Sequence, residues 1–190
     1  MIKRDYILNM IEQLIQRLQL LTGLIKLEQW EGAFELLDET MEEFFGWRSD
    51  FVNAMPEEAL LELLGGNDGR LDVDGVTLLA VLLKSEADVY AVRGAEERAY
   101  HRYLRALHLF LAASEADRDL SVPPEWDHTL ATMEALSSYH LPSGTAVRLY
   151  RYLVTSRIWA AAEDMLWELG EREDLDQGVW QLEGERFYEH

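Results

Sequence analysis

The chain has 190 residues, 48% of them apolar and 11% aromatic, with 36 acidic side chains against 17 basic ones for a net charge of −19. That length fits one domain, and the apolar share supplies a core that a disordered acidic chain lacks. The charge argues against a general nucleic-acid or anionic-membrane surface, because binding to phosphates rests on clustered positive charge, and the absence of cysteine leaves no disulfide, thiolate nucleophile or thiolate metal centre.

In chain order, Ile7, Met10, Ile11, Leu14, Leu18, Leu21 and Ile25 recur at three- and four-residue spacing and predict a helix from about Asp5 to Glu28. The polar Asp5, Asn9 and Glu12 interrupt this opening, so it lacks the apolar run of a signal peptide. Phe34, Leu37, Met41 and Phe44 share a face of a second helix, which Gly46 is placed to end in a left-handed cap. Ser49 is a candidate cap for a short helical turn through Val52. Pro56, followed by Glu57 and Glu58, is a favourable start for a helix that stops at Gly65 and Gly66. The fourth and fifth helices, from about Gly75 to Arg93 and Ala95 to Ala116, meet at Gly94. Pro123 and Pro124 break the chain before a helix near 125–140. Ser143 or Thr145 caps the next, and Trp159 to Glu171 forms another. Val179, Trp180, Leu182, Phe187 and Tyr188 then suggest a last short helix.

No stretch alternates as a strand does, and the longest apolar run, Val76 to Leu83, is far short of the ~20 residues that cross a bilayer. The prediction is an all-α fold of about eight or nine helices in antiparallel hairpins, with no sheet. It forms one domain over 1–190, with hairpins at about 5–46, 75–116 and 144–171, inserted helices at about 56–64 and 125–140, and a C-terminal helix at about 176–188. The expected location is the cytoplasm.

Few residues are arranged for chemistry. Aligning Asp72, Asp74 and Gly75 to a calcium-binding EF-hand loop puts Arg70 in the first ligand position and Val81 in the last, so the two strongest ligands are missing. A loop whose Asp72 or Asp74 caps the following helix accounts for the same residues. His101 and His108 lie two turns apart, too far to share a metal ion, and Glu125 with His128 makes a single Glu-x-x-His where a di-iron bundle needs two. There is no nucleophile elbow, Walker loop or dinucleotide glycine fingerprint. No catalytic residues, metal or cofactor are therefore expected.

The order Leu83, Ala87, Tyr90, Ala99, Tyr103, Ala106 resembles the tetratricopeptide pattern, in which alanines let two helices approach closely while aromatics fill the gaps beside them. Glu86 departs from that pattern, where a large apolar residue is usual, and so does Leu111, where a proline usually ends the unit. Weaker copies run Leu21, Leu24, Trp30, Ala33, Leu37 and Tyr150, Leu153, Trp159, Ala162, Leu166, so that the key alanines stand 66 and 63 residues apart. Each interval is close to two repeats of ~34 residues. From ArgAspTyrIleLeuAsnMetIleGluGln to AlaGluAspMetLeuTrpGluLeu the whole chain is also similar to a family of small acidic bacterial helical proteins catalogued as a domain of unknown function. The tetratricopeptide resemblance implies a right-handed stack of hairpins whose first helices line a concave groove.

Charge is distributed unevenly. Net values of −8, −3 and −8 fall in residues 1–65, 66–157 and 158–190, and no acid occurs between Glu134 and Glu163, a window that holds Arg148, Arg151 and Arg157. On the resemblance, Arg148 and Arg151 line the groove, with Tyr152 beside them, and are candidates to receive an anionic group from a partner. The competing expectation is that they pair with the acidic tail: Glu171, Glu173, Asp174 and Asp176. Arg98, Arg102 and Arg105 read as a solvated ladder laced with Glu96, Glu97 and Asp88. The functional expectation is a noncatalytic protein-protein interaction or scaffold module with an unknown protein or peptide partner, and a homodimer through helix one or the aromatic tail is compatible with the pattern. The alternative is an enzyme or small-molecule-binding protein with a site in a helical cavity.

Overall fold

The computed structural model describes residues 2–65 (side chains from Asp5), 70–116, 128–172 and 174. Among them run nine α-helices: α1 (Ile2–Lys26), α2 (Trp30–Phe45), α3 (Ser49–Ala54), α4 (Glu57–Leu63), α5 (Val73–Val92), α6 (Glu96–Glu115), α7 (Thr129–Ala135), α8 (Ser143–Thr155) and α9 (Trp159–Gly170). An isolated bridge between Gly65 and Leu71 is the one β feature of the described residues, which form no strand. The protein is all-α. The predicted C-terminal helix at 176–188 lies outside the described residues, as does the expected start of the helix at 125–140, whose described part, α7, ends at Ala135.

Contacts group the chain into two compact units, Met1–Ser138 and Tyr139–His190. In the first, α5 is the centre. Its Val76, Leu78, Leu79, Ala80, Leu82 and Leu83 are all fully or almost fully buried although they point in every direction around the helix, as a helix that is apolar all round requires. It packs most extensively on α6 and also on α2 and α1. Leu14, Met41, Val52 and Leu60 close the same core from α1, α2, α3 and α4. In the second unit α8 packs on α9 through Ala146, Leu149, Tyr150 and Leu153 against Ala162, Leu166 and Leu169.

Three helix pairs, α1–α2, α5–α6 and α8–α9, turn by the same local geometry. Glu28, Gly94 and Arg157 each adopt positive φ, at 56°, 79° and 59°. The following N–H groups, of Gln29, Ala95 and Ile158, donate back to the carbonyls of Leu24, Tyr90 and Leu153, each at 2.9 Å, which closes the six-residue bond of a Schellman turn. Those same three residues are the N-caps of the second helices, and their carbonyls accept from Ala33, Ala99 and Ala162 at 3.0 Å. The alanines are buried in every copy, and so are Leu21, Ala87 and Tyr150 before the turn and Leu37, Tyr103 and Leu166 after it.

Only one of the three turns has the residue that left-handed backbone favours. Glu28→Gly or Arg157→Gly is expected to stabilise the fold by about 0.5 kcal/mol, the left-handed strain relieved less the added freedom of the unfolded chain. Gly94→Ala, where a methyl group meets no neighbour within 4 Å, is expected to cost about 1 kcal/mol from conformation alone. Chemical denaturation of the three variants checks both signs.

Candidate functional site

Among the described residues two places concentrate polar chemistry, one in each unit.

In the second, α8 begins after Pro142, whose lack of an N–H is harmless there. The spacing of Arg148, Arg151 and Tyr152 sets them on one face of α8, opposite Ala146, Leu149, Tyr150 and Leu153 in the core. Arg151 is exposed, whereas Arg148 and Tyr152 are half-buried. Ser143, expected as a cap, instead donates its hydroxyl to Asp174 Oδ2 at 2.7 Å. That bond is the largest cause holding the Asp174 carboxyl below the usual range, with Arg172 and His140 adding to it. Glu173 and Asp176 lie outside the described residues. Among the described residues of this unit the buried arginine is Arg172, which the sequence hides between acids. Its Nη1 donates to the Leu141 carbonyl at 2.6 Å and to Ser143 Oγ at 3.2 Å, and its Nη2 pairs with Glu168.

The first unit buries a carboxylate. Glu86 on α5 is only 3% exposed. It occupies the position the sequence marks as unusual for an acid. A lone charge there would be costly, and it is met from two sides. The Ser49 hydroxyl, on α3, lies 2.8 and 2.7 Å from the two carboxylate oxygens, its single hydrogen shared between them. From α6, Arg102 Nε stands 3.1 Å from Oε2, close enough for strong attraction but not aligned as a hydrogen bond. Burial nevertheless dominates and pushes the Glu86 carboxyl up, against Arg102 and Ser49, which pull it down; Asp38 adds a smaller upward push.

Ser49 is therefore not the cap of α3. That role falls to Asp38, eleven residues earlier on α2: its Oδ1 accepts the Ser49 N–H at 2.8 Å and its Oδ2 accepts from Arg48 at 2.9 Å. Asn53 Nδ2 donates to both the Ser49 carbonyl, at 2.8 Å, and its hydroxyl, at 3.0 Å. At the other end of α3, Arg105 Nη2 donates to the carbonyls of Val52, at 2.7 Å, and Met55. These groups close a helix end that would otherwise leave carbonyls unmet. Desolvation lowers the Arg105 pKa, against the pull of Glu57. Glu57 in turn pairs with His108 at 2.8 Å.

The arginine ladder of α6 is thus not a solvated face. Arg102 and Arg105 turn toward α5 and α3, and only Arg98 is exposed, its guanidinium 5.7 Å from the Tyr90 ring centre. Asp88 pairs with Lys84 at 2.9 Å and accepts from the Tyr103 hydroxyl at 2.6 Å rather than lacing that ladder. Asp72 stands at the N-cap position of α5 without a side-chain cap bond, and Asp74 is buried in the first turn. Among the described residues no three histidine or carboxylate groups are arranged to hold a metal ion, and no helix is long and apolar enough to cross a membrane.

These features define an all-α protein of helical hairpins with a buried ionic cluster around Glu86. The whole chain, residues 1–190, matches a family of unknown function, DUF6483, and belongs to it. Comparison with curated proteins and with solved structures returned no match.

The cluster makes two expectations. Ser49→Ala, which strips the hydroxyl from a buried carboxylate, is expected to cost about 2 kcal/mol, and Arg102→Met about 3 kcal/mol, while Glu86→Leu combined with Arg102→Met recovers most of that loss because no charge is left buried alone. Urea denaturation of the single and double variants reads the coupling. The second concerns pH. With a folded pKa raised above the ordinary 4.5, Glu86 takes up its proton in the folded chain before it does so in the unfolded one. Its contribution to stability therefore rises as pH falls through the folded value and levels off below 4.5. Glu86→Gln removes that slope, so the stability difference between wild type and variant shifts in favour of wild type on acidification from neutral pH toward 4.5.

Proposed function

We propose that the protein is a noncatalytic cytoplasmic interaction or scaffold module of tetratricopeptide-like type, its hairpins stacked in a right-handed sense. The observation that supports this reading is the triple occurrence of one hairpin turn, at Glu28, Gly94 and Arg157, each with its buried alanine four residues past the N-cap. Repeated helical hairpins serve in many proteins as surfaces rather than as catalytic chambers. On this reading the face of α8 that carries Arg148, Arg151 and Tyr152 receives an anionic group of a protein or peptide partner. Two guanidinium groups one turn apart suit a carboxylate or phosphate, and the neighbouring aromatic ring adds stacking.

The test is Arg148→Glu with Arg151→Glu, built on helix positions outside the α8 core. Circular dichroism first verifies an unchanged fold. Affinity purification from the native cell should then recover a partner with the wild type that the variant loses. Identical recoveries from both would remove this face from the proposal.

A further inference from the structure

Helix α1 carries more apolar surface than its own unit uses. Ile7, Met10, Leu14 and Leu21 lie in the core. Beside them runs a second line: Leu8, Ile11, Ile15, Leu18, Thr22 and Ile25, spaced three and four residues apart without interruption. This is the heptad repeat of a two-helix seam. Leu8 and Ile15 are each 43% exposed and Thr22 is exposed, while Ile11 is buried and Leu18 and Ile25 are half-buried along its inner edge. One flank of the seam is closed by the core line. The other carries Asp5, Glu12, Gln19 and Lys26, all exposed and seven residues apart. It is acidic toward the N-terminus and basic at its C-terminal end.

We infer that this seam is the contact between two copies of the chain, with the two α1 helices antiparallel about a two-fold axis. The charge order decides the occupant and the direction. In the register that uses the whole line, Leu8 meets Ile25 of the second copy, Ile11 meets Thr22, and Ile15 meets Leu18. The flanking positions then place Asp5 opposite Lys26 and Glu12 opposite Gln19, each pair occurring twice by symmetry. A parallel pairing would instead turn this flank toward the side of the second copy that carries Ile7, Leu14 and Leu21, where its charges meet no opposite charge. The surface is thus complementary to itself in the antiparallel direction alone. The contact does not depend on what the α8 face binds.

Sedimentation of the full chain over a wide concentration range should give twice the 22.0 kDa of one chain. Leu8→Glu with Ile15→Glu, at two exposed positions, should leave the helical content intact and return the mass to one chain. Asp5→Lys should weaken the dimer about tenfold, and adding Lys26→Asp should restore it. Because the chain has no cysteine, direction can be read by oxidation: Leu8→Cys with Ile25→Cys should link two chains, and neither single variant should. A monomer at all concentrations would overturn the inference, as would a dimer that survives the Leu8 and Ile15 changes. Linking by either single-cysteine variant would overturn the antiparallel direction.

Discussion

The first unit depends on the enclosure of α5, whose residues from Asp74 to Leu83 are all buried. A helix enclosed on every side must have its polar atoms met by its neighbours, since water does not reach them. Most of α5 satisfies this by being apolar, and Thr77 and Ser85 return their hydroxyls to backbone carbonyls one turn earlier, both at 2.8 Å. Glu86 cannot, and the arrangement around it follows from that. Ser49 and Arg102 are drawn from two other helices to one carboxylate, so α3 and α6 are positioned by charge as well as by packing. Continuum reasoning holds that such a pair adds little to stability compared with apolar residues of the same size. What it fixes here is place: the six-residue α3 is too short to be stable alone and is held by Asp38 and Glu86 at its start and by Arg105 at its end.

Much of the fold was legible because its signals are local. Apolar spacing placed α1, α2, α5 and α6, Gly46 was visible as a C-cap, and its φ of 74° agrees. Pro56 announced α4, as N-cap rather than first residue. The common frame of Ala33, Ala99 and Ala162 could be read from the chain, although the left-handed residue in front of it could be foreseen only at Gly94, since nothing about Glu28 or Arg157 marks them for positive φ. The polar cluster was hidden for the opposite reason. Ser49 and Glu86 are 37 residues apart and Arg105 and Val52 are 53 apart, separations at which a single sequence carries no pairing information. A serine before a short helix reads as its cap, and arginines every three or four residues read as a wet face. The one legible trace was Glu86 itself, an acid in an apolar frame. Arg172 left no trace, because a lone base among acids looks like part of a charged tail.

The two ionic sites also differ in what they ask of solvent. Around Asp174 the groups are open, and the lowered carboxyl reflects a hydroxyl donor and nearby positive charge. Around Glu86 the same kinds of donor are present, yet enclosure outweighs them and the carboxyl moves the other way. The contrast shows how far accessibility, rather than the identity of the partners, sets the sign of such a shift.

The shared turn has a further consequence for how such a chain can change length. Each turn satisfies its own backbone groups within six residues, from Leu24 to Gln29, Tyr90 to Ala95 and Leu153 to Ile158, so none of them needs a particular distance to the next. The intervals of 66 and 63 residues between equivalent alanines differ although the segments between hairpins, 46–72 and 116–142, are equally long, so the difference lies in the helices: α6 runs further past its alanine than α2 does, and α8 is shorter than α5. Residues can be gained or lost at the helix ends away from the bends while the bends keep their form, which makes the turn, rather than the whole hairpin, the part that variation in length leaves unchanged.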